Sequence, residues 1–123
     1  MATILVTDDE ALVRLTIRKM LEKEGHLVLE ACDGKQAEAI AAEVKIDLLI
    51  TDIIMPEKEG IETIMAIRKT QSELPILAIS GGGRSANLDY LVTAELLGAN
   101  ATLSKPFSKD TLIHTVNTLL PQS

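Results

Sequence analysis

Five residues of this sequence are of types that do chemistry together: the adjacent carboxylates Asp8 and Asp9, the carboxylate Asp52, the hydroxyl of Ser80 and the ammonium of Lys105. Asp8-Asp9, Asp52 and Ser80 each close a short apolar run, and Lys105 follows another and precedes Pro106. Carboxylates brought a few ångströms apart repel by about 1–4 kcal/mol per pair near a surface. Such a group persists only with a cation or by protonation. The ligand set is oxygen alone, with no His or Cys beside it, which points to a hard ion: Mg²⁺, with Mn²⁺ as a substitute. Mg²⁺ takes one or two carboxylates, keeps waters and reserves positions for phosphate oxygens. Lys105 and Ser80 suit two further phosphoryl oxygens, and Asp52 is then the nucleophile that carries the group as a mixed anhydride. A plainer explanation reads Asp8, Asp9 and Glu10 as acids favoured at a helix N-terminus. It accounts for each position singly but not for five polar residues at the ends of apolar runs.

The elements that must position them alternate along the whole chain. Thr3–Thr7 is apolar without alternation and reads as a buried strand. Glu10–Glu24 has apolar residues at helical spacing and stops at Gly25. The spacing then predicts a strand over Leu27–Ala31, a helix from Asp33-Gly34 to Val44, a strand over Asp47–Ile53 and a helix from about Gly60 to Thr70. A strand follows over Leu74–Ser80, a glycine loop at Gly81–Gly83, a fourth helix over Ala86–Gly98 and a short strand over Ala101–Ser104. Ser108 is the expected N-cap of a last helix ending before Pro121. Five βα units in strict alternation imply a parallel sheet with helices on both faces, an open doubly wound α/β sandwich. Ligands of such sheets bind beyond the carboxyl ends of the strands.

Composition sets the outer limits. The chain of 123 residues is the size of one domain, so 1–123 is read as a single unit. At 46% hydrophobic and 24% charged it is not a disordered sequence. A net charge of -6 is the wrong sign for a general nucleic-acid or anionic-lipid binder. Tyr90 and Phe107 are the only aromatics, too few for base stacking. Cys32 is the only cysteine and can form no internal disulfide. No apolar run reaches the ~20 residues of a membrane span, and the N-terminus lacks the basic region of a signal peptide. A cytoplasmic location is expected. Cys32, Met55 and Met65 read as packing residues, and His26 and His114 as solvent-facing. With no GxxxxGK[ST] motif, the sequence does not read as a P-loop nucleotide binder.

The ordered set ILVTDDE at 4–10, DLLITDIIMP at 47–56, Gly60, ILAIS at 76–80 and LGANATLSKPF at 97–107 resembles the response-regulator receiver domains of bacterial two-component signalling, over essentially the whole chain. The resemblance implies a flavodoxin-like (βα)5 fold with strand order 2-1-3-4-5. It implies that Asp52 accepts a phosphoryl group from the phosphohistidine of a histidine kinase or of a histidine phosphotransfer protein. It implies that Asp9, Asp52 and the backbone carbonyl of Ile54 ligate Mg²⁺, with Asp8 acting through metal-bound water. It implies that Lys105 pairs with carboxylate or phosphoryl oxygens, that Ser80 moves to the phosphoryl group, and that Lys105–Pro106 is cis. Such a domain is a regulatory phosphoacceptor, an enzyme only toward its own phosphorylation and dephosphorylation.

Two features depart from the family pattern. Thr102 stands where the family often carries a switching aromatic, and the loop after Ser80 has three consecutive glycines. Output is expected through protein contact at the helix over Ala86–Gly98, with a downstream protein or in a self-dimer, because Leu88, Tyr90, Leu91, Val92, Leu96 and Leu97 cover more than one helix face. A stand-alone switch and a receiver of a longer protein fit equally. A phosphorylation-independent module and a Mg²⁺-dependent phosphohydrolase are the rivals. Asp8, Asp9, Asp52 and Lys105 together argue against the first, and the absence of an acid next to Asp52 argues against the second.

Overall fold

The structure, a computed structural model, describes residues 1–53, 59–80 and 98–120. Ile54, Met55, Gly81–Gly83 and the helix expected over 86–98, apart from Gly98, lie outside the described residues. The chain runs β1 (Thr3–Thr7), α1 (Ala11–Lys23), β2 (Leu27–Ala31), α2 (Gly34–Glu43), β3 (Leu48–Asp52), α3 (Glu59–Thr70), β4 (Ile76–Ser80), β5 (Ala101–Ser104) and a C-terminal helix, α4 (Lys109–Leu119). All strand pairs are parallel, in the order β2-β1-β3-β4-β5. This is the open doubly wound flavodoxin-like sheet that the alternation and the resemblance imply.

Local chemistry sets the element ends. Gly25 takes a φ of 88°, a left-handed position that a side chain resists, and α1 ends there. Asp33 caps α2 by accepting from the Gln36 N–H at 2.8 Å, and Ser108 caps α4 by accepting from the Thr111 N–H at 3.1 Å. β4 begins at Ile76 rather than at the expected Leu74, because Pro75 has no N–H for the ladder. The Pro75 carbonyl still accepts from the Leu49 N–H.

Every residue of β3 and of β4 is buried, as expected of strands covered on both sides. The two-residue side-chain period divides the core into two. Leu5, Leu49 and Ala78 face Ala37 and Ala41 of α2 and Ile64 and Ile67 of α3. Ile4, Val6, Ile50 and Ile79 face Ile17 and Leu21 of α1 and Leu112 and Val116 of α4. Each buried Val, Leu or Ile side chain among these contributes about 1.5–3 kcal/mol of transfer free energy, and each alanine less. The sheet is therefore a rigid platform, and the pairing Thr7 with Thr51, Asp52 with Ile79 and Ser80 with Ser104 aligns the carboxyl ends of its strands. Among the described residues no helix is long and apolar enough to cross a membrane.

Two expectations are corrected at the surface. His26 is half-buried, not solvent-facing, because its Nδ1 accepts the Ala2 N–H at 3.1 Å. Met65 is 44% exposed rather than packed, since α3 turns Ile64 and Ile67 to the core instead. His114 is exposed and Cys32 partly buried.

Candidate functional site

The site is built where β1, β3, β4 and β5 end. Asp8 follows β1, and its N–H donates to the Ala31 carbonyl at 3.2 Å, extending the β1–β2 ladder one residue past the strand. One Asp8 carboxylate oxygen accepts the Glu10 N–H at 2.8 Å, a local turn bond that short acids form readily. The other accepts Lys105 Nζ at 2.9 Å. The same Nζ donates to Asp52 Oδ2 at 3.0 Å. Asp8 is 0% exposed and Asp52 is 3% exposed, so two buried carboxylates share one ammonium. Neither charge would be tolerated alone in so dry a place.

Lys105 is held there by its own backbone: its N–H donates to the Ser80 carbonyl at 2.6 Å, and the Lys105–Pro106 bond is cis. Burial alone would lower its pKa, but the hydrogen bonds it donates to Asp8 and Asp52 and the attraction of both charges outweigh it. The net shift is upward. The ammonium is therefore fully charged across the physiological range.

Carboxylate oxygens of Asp8, Asp9 and Glu10 lie within 4.8 Å of one another, while Asp52 joins Asp8 through Lys105. Asp9 and Glu10 are exposed at the N-terminus of α1, where the helix dipole favours negative charge. Three oxygen donors so close, two of them open to solvent, fit a hard divalent ion that retains waters. Ile54, expected to supply a carbonyl, lies outside the described residues.

Ser80 ends β4 completely buried, and its Oγ has no hydrogen-bond partner among the described residues. The same holds for Thr7 Oγ1, next to Asp8. A buried hydroxyl without a partner costs about 1–3 kcal/mol, so both are poised to gain one. Thr102 is half-buried in β5. Sequence reasoning set Glu10 aside as a helix-end acid and missed Arg14, whose Nη1 donates to the Asp8 carbonyl and whose Nε pairs with Glu30 Oε1 at 3.1 Å. The signal was there: Glu30 is the one charged residue in LVLEA, opposite Arg14 and Arg18 one helical turn apart.

With this geometry in place, comparison with known proteins decides the family. The profile of the response regulator receiver domain matches residues 4–117. This chain belongs to the receiver-domain family. It is 36% identical to the transcriptional regulatory protein CpxR of Escherichia coli over 123 residues, which is 100% of this chain and 51% of CpxR. It thus spans about half the length of that relative. It is also 32% identical to the protein PilH of Pseudomonas aeruginosa, covering 98% of each chain. Among solved structures, the receiver domain of NtrX from Brucella abortus superposes with a TM-score of 0.90 at 34% identity, over 98% of this chain and 99% of that one. The chemotaxis protein CheY4 of Vibrio cholerae superposes with a TM-score of 0.87 at 31% identity, over 98% and 99%. Receiver domains are regulatory modules of two-component response regulators, which take phosphoryl groups from histidine kinases, and they generally bind Mg²⁺ at an acidic pocket.

Proposed function

We propose that residues 1–123 form one receiver domain whose phosphoacceptor is Asp52. A histidine kinase or a histidine phosphotransfer protein supplies the group. One Asp52 carboxylate oxygen attacks the phosphorus and the P–N bond of the phosphohistidine breaks. Its electron pair stays on the imidazole nitrogen, and an acyl phosphate is left on Asp52. The observation that supports this most is Lys105 Nζ, bonded at 2.9 and 3.0 Å to Asp8 and Asp52. It marks Asp52 as a buried carboxylate already paired with a group able to hold a phosphoryl oxygen.

Asp8, Asp9 and Glu10 are the described residues that would hold Mg²⁺, with Asp52 and the Ile54 carbonyl as the further ligands the resemblance implies. The ion supplies positive charge against the phosphoryl oxygens. Ser80 Oγ, buried and without a partner among the described residues, is the donor that a phosphoryl oxygen on Asp52 would satisfy. The acquired state is then read by another protein, not by catalysis on a small molecule. The test is intact-mass analysis after incubation with a small acyl phosphate and Mg²⁺. Wild type should gain one phosphoryl group, stable in acid and lost in alkali, and Asp52→Ala should gain none. Equal labelling of the two proteins would refute Asp52 as acceptor.

A further inference from the structure

Arg14 stands just behind the acidic turn and makes two kinds of contact. Its Nη1 donates to the backbone carbonyl of Asp8, and its Nε pairs with Glu30 Oε1 of β2 at 3.1 Å. Its side chain is only 16% exposed and that of Glu30 25%. The neighbouring Arg18 takes the other Glu30 oxygen at 2.9 Å and reaches Glu22 at 3.0 Å, but it has no bond to the acidic turn among those described. Arg14 is also joined to the turn from below, since its N–H donates to the Glu10 carbonyl at 3.1 Å.

We propose that Arg14, moored by Glu30, is a positioning residue for the cation-binding turn: it fixes the Asp8 peptide and thereby the directions in which Asp8, Asp9 and Glu10 project. This inference rests on the reading of that turn as the Mg²⁺ site. Glu30 holds the guanidinium at its carbonyl contact and off the exposed carboxylates of Asp9 and Glu10. A free arginine there would compete with the ion for both. Groups that orient metal ligands matter nearly as much as the ligands, typically about 10–100-fold in affinity. Arg14 acts through a carbonyl on a partly exposed turn, so the lower end applies.

The sign of the effect separates positioning from simple charge. Removing a positive charge beside a cation site strengthens cation binding by Coulomb's law alone. Loss of positioning weakens it. Calorimetric titration with Mg²⁺ alone should therefore show about tenfold weaker binding for Arg14→Met. Arg14→Lys, which keeps the charge but lacks a fork that can serve Glu30 and Asp8 together, should bind more weakly than wild type and more tightly than Arg14→Met. Arg18→Met, which loses the Glu30 pair without touching Asp8, should match wild type. Thermal denaturation without Mg²⁺ accompanies each titration, because a merely structural role would lower stability and leave affinity unchanged. Asp9→Ala tests the underlying reading: if it binds Mg²⁺ as wild type does, the site itself is misplaced. If Asp9→Ala loses binding while both Arg14 variants bind as tightly as wild type or tighter, the positioning role is overturned. Should Arg14→Met fail to fold, Arg14→Lys with wild-type affinity overturns it alone.

Discussion

Replacing Lys105 by Met should unmask the repulsion that the site stores. In the wild type one ammonium lies 2.9 Å from Asp8 and 3.0 Å from Asp52, and the side chains of these acids are 0% and 4% exposed. Methionine keeps the apolar stem and removes the charge, leaving two buried carboxylates facing each other. Breaking a buried pair by removing one partner costs about 3–5 kcal/mol. The Lys105 side chain is 17% exposed, so water relieves some of this, and a loss of about 2–4 kcal/mol is expected at pH 7 without divalent ions. For a chain of this size that is roughly a 10 °C fall in midpoint. Added Mg²⁺ should then stabilise the variant more than wild type, because an ion gains most where the carboxylates lack another counter-charge. The pH dependence has a defined sign. The folded pKa of Lys105 lies above its ordinary 10.5, so the stabilisation it gives is complete below 10.5 and disappears as pH rises through the folded value. The gap between the two proteins should be constant from pH 7 to 9 and close above about 10.5. Chemical denaturation across this range measures it. A variant as stable as wild type at pH 7 without Mg²⁺ would show that the two carboxylates do not depend on Lys105.

Three other perturbations follow from contacts away from the site. Arg68 donates to the carbonyls of Gln71, Ser72, Leu74 and Gly98 and to Asn100 Oδ1, so Arg68→Met should cost about 3 kcal/mol in urea denaturation. Arg68→Lys should recover less than half, since an ammonium cannot span that fan of acceptors; a loss under about 1 kcal/mol for Arg68→Met would count against the staple. Gly98 has a φ of 124°, and an added Cβ would lie 3.0 Å from Arg68 Nε, whereas at Gly25, with a φ of 88°, nothing lies within 4 Å. Gly98→Ala should therefore destabilise by about 2–3 kcal/mol and Gly25→Ala by about 1 kcal/mol, the reverse order being incompatible with this geometry. Burial, then the positive chain terminus, lowers the pKa of His26 below its ordinary 6.5, outweighing Glu24. Its contribution is complete above pH 6.5 and is lost as pH falls toward the folded value, because a protonated Nδ1 cannot accept the Ala2 N–H. His26→Asn should flatten the stability profile below pH 6.5, and an unchanged slope would exclude His26 as its source.

Sequence by itself determined the alternation of elements and the chemical kinds of residue at the strand ends. Both are local properties: a wholly apolar run such as LLI at 48–50 admits burial on two sides, and Asp33 and Ser108 cap the helices that follow them through bonds spanning three residues. It did not determine which strands are neighbours, because periodicity says nothing of pairing; the order 2-1-3-4-5 came from resemblance and is the order found. Only the tertiary structure decided that Lys105 lies between Asp8 and Asp52 and that Glu10 stands close beside Asp8 and Asp9. Those distances depend on how β1, β3 and β5 align, residues nearly a hundred positions apart in the chain. The same reason hid Arg14 and His26. A charged or titratable side chain has no preferred partner in a sequence, and its role is set by whichever backbone group the fold brings within reach: the Asp8 carbonyl for one, the Ala2 N–H for the other.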